Sequence, residues 1–92
     1  MAVTVYVASV IQRAVGDQKQ LEAEGSTIAE LIDDLESRYP GFRAQVSDES
    51  GALHRFVNVY LNDEDVRYLQ GTGTALSEGD SVSFLPALAG GR

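Results

Sequence analysis

The chain has 92 residues, 43% of them hydrophobic, which suits one small domain with one modest core. No cysteine and a single histidine exclude disulfides, thiolate metal sites, a cysteine nucleophile and a histidine-built zinc site. A net charge of −7 argues against nucleic acid, whose phosphates are bound by clustered lysine and arginine, and favours basic partner surfaces.

Val3 to Val7 alternate Val, Thr, Val, Tyr, Val, the period of a half-buried strand with Val3, Val5 and Val7 toward the core. The opening residues carry no basic region and no continuous apolar run, so they read as neither a signal peptide nor a membrane span, and a cytoplasmic protein is expected. Ser9 to Ala14 is less regular. Gly16-Asp17 marks a reversal into a weaker strand near Lys19 to Ala23, giving a hairpin with a loose loop. After Gly25-Ser26, Thr27 and Glu30 have capping-box spacing, and Ile28, Leu31, Ile32 and Leu35 recur as one apolar helix face. Asp33, Asp34 and Glu36 read as a solvated face. Tyr39-Pro40-Gly41 ends the helix.

Phe42 to Leu53 reads as a polar connection containing a mobile surface loop, Ser47 to Gly51. Phe56 to Leu61 is the next strand, with Val57, Val59 and Leu61 inward, followed by a turn at Asn62-Asp63-Glu64 and a short returning strand from Asp65 to Arg67. Gly71-Thr72-Gly73 is loop and Ser77 to Asp80 a turn. Ser81 to Leu85 is the last strand, Val82 and Phe84 inward, and Pro86 closes it because proline cannot donate to a ladder.

One main helix laid on one face of a mixed sheet of four to five strands is an α+β roll. The other sheet face then carries Tyr6, Phe56, Tyr60 and Leu85, which come together if the first and last strands are central neighbours. They form a candidate partner-binding patch. Residues 1–86 make the domain and residues 87–92, Ala-Leu-Ala-Gly-Gly-Arg, a tail expected to be flexible. Extended, that tail reaches about 20 Å. Its glycines have no side chain to clash in a narrow channel.

Other residues invite chemistry less well. His54 beside Arg55 has no nucleophile or second ligand near it in sequence. Asp63-Glu64-Asp65 lacks the spacing of a calcium loop, and Gly71-x-Gly73 is too short to cradle phosphate. No catalytic or metal-binding residue is assigned.

The order of elements, together with the ending Phe84-Leu85-Pro86-Ala87-Leu88-Ala89-Gly90-Gly91, resembles the ubiquitin-like β-grasp sulfur carriers, which include the thiamine sulfur carrier and the small subunit of molybdopterin synthase. Within them, Leu53 to Arg67 and Gly79 to Val82 look most like the actinobacterial carriers that feed sulfur to a dedicated cysteine synthase. The resemblance implies a β-grasp roll and a protein co-substrate, not an enzyme. It implies that a ubiquitin-activating-like adenylating and sulfurating enzyme uses ATP to convert the carboxylate of Gly91 to a thiocarboxylate, with Leu88, Ala89 and Gly90 threading the partner's channel. A PLP-dependent cysteine synthase and a JAMM-type metalloprotease are the further partners it implies. No bound cofactor, nucleic acid or membrane is implied. Arg92 departs from the pattern: Gly91 is not terminal until Arg92 is removed, so Gly91 and Arg92 form a processing site. Carriage of sulfur to molybdopterin, thiamine or a secondary metabolite stays open, as does a ubiquitin-like modifier or a non-covalent binding module. Lys19, the single lysine, leaves little room for self-linked chains.

Overall fold

The structure, a computed structural model, describes residues 2–86; the tail residues Ala87 to Arg92 lie outside the described residues. Five strands form one mixed sheet in the order β2-β1-β5-β3-β4: β1 Ala2–Val7, β2 Gln20–Glu24, β3 Val57–Leu61, β4 Glu64–Asp65 and β5 Ser81–Pro86. The first and last strands are the central neighbours. They run parallel, with Val5 opposite Val82 and Val7 opposite Phe84, while β2 and β3 pair antiparallel to β1 and β5.

The alternation read from the sequence sorts the sheet into two faces. Val3, Val5, Val7, Val57, Val59, Val82 and Phe84 are buried on one, and Leu61 packs partly buried against them. Helix α2, Ile28–Arg38, covers that face with Ile28, Leu31, Ile32 and Leu35. Its start is cut sharply from β2 at Gly25, where a Cβ would lie 2.6 Å from the Leu31 nitrogen. Thr27 caps the helix, its Oγ1 accepting the Glu30 N–H at 3.2 Å. The return half of the expected capping box is shifted by one residue: Glu30 Oε1 accepts from the N–H (2.9 Å) and hydroxyl (2.7 Å) of Ser26. Those two bonds, the hydroxyl foremost, hold the Glu30 pKa below its ordinary range.

Two stretches read as irregular are helical. Ser9–Gln12 is a short helix, α1, continued by a 3₁₀ turn over Arg13–Val15, so the hairpin between β1 and β2 is not joined by a loose loop. Ile11 and Val15 are both buried, and Gln12 Nε2 donates to the Val7 carbonyl at 2.9 Å. Gly16 and Asp17, both left-handed, then make the expected reversal. Phe42–Val46 is a second short helix, α3, and not a polar connection; Phe42 and Val46 reach the core centre, where the Phe42 and Phe84 rings meet edge to face at 5.2 Å. Helices this short gain their stability from burial rather than propensity, so they carry little periodic pattern.

The acidic face of α2 is only partly solvated surface. The start of α3 has no side-chain cap of its own, and Glu36 supplies one from α2: its carboxylate accepts the N–H of Arg43 at 2.8 Å and of Gly41 at 3.2 Å. Asp33 pairs with Arg43, and Asp34 with Arg38. In the Ser47 to Gly51 segment, expected to be mobile, Ser47 is buried, and the exposed residues Asp48 to Gly51 are closed on themselves: Asp48 Oδ1 accepts from the Ser50 hydroxyl at 2.6 Å, the Ser50 N–H at 2.9 Å and the Ala52 N–H at 3.2 Å. The Ser50 hydroxyl is the main reason the Asp48 pKa is lowered.

Two outcomes test this packing. Phe84→Ala empties the centre of the core and should cost about 3–5 kcal/mol in denaturant unfolding. The Glu36 carboxyl is held below its ordinary 4.5, first by the Arg43 N–H and then by the Gly41 N–H. A lowered folded pKa contributes stability that is complete above 4.5 and disappears as pH falls through the folded value. Glu36→Gln should therefore melt below the wild type at pH 7, with the gap closing as thermal melts are taken through pH 4.5 toward pH 3.

Candidate functional site

The sheet face away from α2 is where the sequence placed its candidate patch. Register makes the arrangement explicit: Tyr6 lies opposite Ser83, and Ser83 opposite Tyr60, so two tyrosines flank a small residue of the central strand in one row. Leu85 follows Ser83 by two residues, the same face, and lies opposite Asn58. Tyr6 is 42% exposed, and Tyr60 and Leu85 are partly so. The structure thus brings Tyr6, Tyr60 and Leu85 together along the last strand.

Phe56 sits at the rim instead of in the row. The strand begins at Val57, one residue later than the alternation suggests, and Phe56 belongs to the preceding turn, where Val57 N–H donates to the His54 carbonyl at 3.0 Å. It is 70% exposed, with the Arg55 guanidinium 5.5 Å from its ring centroid. Because Val57 pairs with Pro86, Phe56 stands next to the point where β5 ends. Leu88, Ala89, Gly90, Gly91 and Arg92 lie outside the described residues.

Arg67 organises this end of the sheet, a role the sequence reading missed. Its guanidinium donates to the His54 carbonyl at 2.7 Å, the Val57 carbonyl at 2.6 Å and Asn58 Oδ1 at 2.8 Å. A planar fork of fixed donors suits three acceptors spread along a strand start. Arg67 is brought there by a two-residue strand and a 3₁₀ turn, Val66–Tyr68, where a longer returning strand was expected; Asp65 Oδ1 caps the turn by accepting the Arg67 N–H at 2.8 Å. Nothing local in the sequence points from residue 67 to residue 54. Exposed apolar side chains were also missed: Val10 on α1, and Tyr68 and Leu69 after β4.

The patch holds no acid–base constellation. His54 Nε2 lies 3.3 Å from the Ala44 carbonyl, and the carboxyls with lowered pKa belong elsewhere, Glu30 and Glu36 to α2 and Asp48 to the turn after α3. Among the described residues no three His, Cys, Asp or Glu side chains gather to hold a metal, and no helix is long and apolar enough to cross a membrane. What the arrangement offers is an aromatic and aliphatic surface beside the end of β5.

Comparison with known proteins follows the same outline. Residues 5–91 match the ThiS family. The chain is 48% identical to the sulfur carrier protein CysO of Mycobacterium tuberculosis, covering 99% of this chain and all of that one, and 37% identical to small archaeal modifier protein 3 of Haloferax volcanii, covering 74% and 73%. Among solved structures, a chain of the Amycolatopsis orientalis BexX/CysO complex superposes with a TM-score of 0.89 at 46% identity, over 97% of this chain and 99% of that one. The β-grasp architecture expected from the order of elements is therefore the fold of this chain, with two short helices added to the one main helix.

The role of Arg67 gives a direct test. Arg67→Met keeps the aliphatic stem but leaves three acceptors without their donor. Amide hydrogen exchange at Val57 and Asn58 should accelerate markedly while exchange in β1 stays slow. Unchanged exchange at β3 would remove Arg67 from this role.

Proposed function

The chain belongs to the ThiS family, and on that premise we propose that it is a sulfur carrier for cysteine biosynthesis, charged at Gly91. The observation that carries the reading is the 48% identity to a sulfur carrier, CysO, along the whole chain, with Gly90-Gly91 at the end of the matched residues. The carrier supplies a carboxylate and a docking surface; the chemistry belongs to its partners. An oxygen of the Gly91 carboxylate attacks the α-phosphate of ATP on a ubiquitin-activating-like enzyme, releasing pyrophosphate and leaving an acyl adenylate. Sulfide sulfur then adds to the acyl carbon and AMP departs, which converts a poor electrophile's oxygen into a nucleophilic thiocarboxylate.

The sulfur next adds to an acceptor derived from O-phosphoserine on a PLP-dependent cysteine synthase, giving a Gly91 thioester of cysteine; the acyl group shifts from sulfur to the cysteine amine, freeing the thiol, and a JAMM-type metalloprotease hydrolyses the resulting glycyl amide to release cysteine. In each encounter Tyr6, Tyr60, Leu85 and Phe56 hold the domain at the partner's surface while Leu88, Ala89 and Gly90 thread toward the reacting centre. Docking on a partner protein is supported by the similar CysO that forms a complex with BexX. Arg92 must leave first, because an amide-linked Gly91 has no carboxylate to adenylate. The metalloprotease class that cuts after Gly91 in the cysteine adduct is the candidate for cutting the same glycyl bond to Arg92.

A second reading has its own support in the 37% identity to small archaeal modifier protein 3: the activated Gly91 would then be joined to lysines of other proteins. Intact mass separates the two. Full-length protein incubated with ATP, sulfide and an activating enzyme should stay uncharged, whereas the same protein ending at Gly91 should exchange one oxygen for sulfur. Native extract should contain the form lacking Arg92. Retention of Arg92 in cells with no sulfur gain by either form would overturn the carrier reading, and isopeptide adducts without thiocarboxylate would establish the modifier.

A further inference from the structure

The sheet has one long free edge, β2; the opposite edge, β4, is two residues long. Val7 N–H donates to the Lys19 carbonyl at 2.9 Å, which makes Val5–Leu21 and Val3–Ala23 the hydrogen-bonded pairs of the β1–β2 ladder. The intervening residues Gln20, Glu22 and Glu24 therefore turn their N–H and C=O groups away from β1, toward the edge. An edge with such a row of free groups is a template for another strand.

Two of these groups are already taken, and both by α2. Asp34 Oδ2 accepts the Glu24 N–H at 3.0 Å, and Arg38 Nη2 donates to the Glu22 carbonyl at 2.7 Å and to Asp34 Oδ2 at 3.0 Å. The two residues are one helical turn apart, so their side chains reach the edge together across an open cleft of about 240 Å³ between β2 and α2. An exposed ion pair by itself adds little to stability. Its position on the edge is the more informative fact.

We propose that Asp34 and Arg38 form an edge latch that stops a second copy of this chain from adding its β2 strand. Antiparallel pairing centred on Glu22 would set residue 20 of each copy against residue 24 of the other, pair every outward group, and close with two-fold symmetry. The latch occupies the Glu22 carbonyl and the Glu24 N–H, groups that this pairing needs. Glu22 facing the same residue of the second copy adds like-charge repulsion as a second barrier.

The test is oligomeric state, read by size-exclusion chromatography with light scattering over a wide concentration range, on the full chain. Wild type and Glu22→Thr should stay monomeric. Glu22→Thr combined with Asp34→Ala and Arg38→Ala should approach twice the monomer mass as concentration rises. Placing proline instead of threonine at position 22 should restore the monomer, because that N–H points outward and belongs to no bond with β1. Circular dichroism checks the fold; if proline at 22 unfolds the domain, Gln20→Pro in the triple variant removes another outward donor. A folded triple variant that stays monomeric, or a dimer indifferent to the proline, would overturn the latch.

Discussion

Everything in this domain depends on the parallel pairing of β1 with β5. These strands are the first and last of the described chain, yet they lie side by side at the centre of the sheet. No tight turn can join parallel neighbours, so the pairing is maintained by what lies between them in sequence: α2 across one face and β3 on the far side of β5. The same constraint makes the last strand both the middle of the core, through Val82 and Phe84, and the base of the chain's end, through Leu85 and Pro86. The strand is paired on both sides, so the point where it ends, at Pro86 opposite Val57, is fixed by its register with its neighbours.

The acidic character of the chain is used locally before it is used at long range. Glu30 closes the start of α2, Glu36 starts α3, Asp48 closes its own turn, and Asp65 caps the turn that brings in Arg67. Each is a carboxylate accepting a backbone or hydroxyl hydrogen in a short connection. In a domain this small, with several helices of one or two turns, such caps replace the buried area that longer elements would provide. Lowered pKa values at Glu30, Glu36 and Asp48 report that use.

Charge and apolar surface are also divided by place. The acids of α2 cap and pair at the helix start, β2 and α3, while the row of Tyr6, Ser83 and Tyr60 ends at one carboxylate, Asp65 opposite Tyr60, which already accepts the Arg67 N–H. A surface of tyrosines around a serine can be covered by a partner without burying an unpaired carboxylate. At the rim the Arg55 guanidinium is held over the Phe56 ring.

Much of this was legible in the sequence, because the informative patterns are local. Strand alternation sorted Val3, Val5, Val7, Val59, Val82 and Phe84 from Tyr6, Tyr60 and Leu85, and the spacing of Ile28, Leu31, Ile32 and Leu35 with Thr27 before them defined the one long helix. Those assignments need only a period and a cap. Tertiary structure alone decided the helical state of Ser9–Gln12 and Phe42–Val46, since a helix of four or five residues exists only where Ile11, Phe42 and Val46 find the core. It alone decided the reach of Arg67 to the carbonyls of residues 54 and 57, and of Asp34 and Arg38 to the edge of β2. The physical reason is the same in each case: these contacts satisfy backbone groups far away in sequence, and no local period records where a distant carbonyl will be.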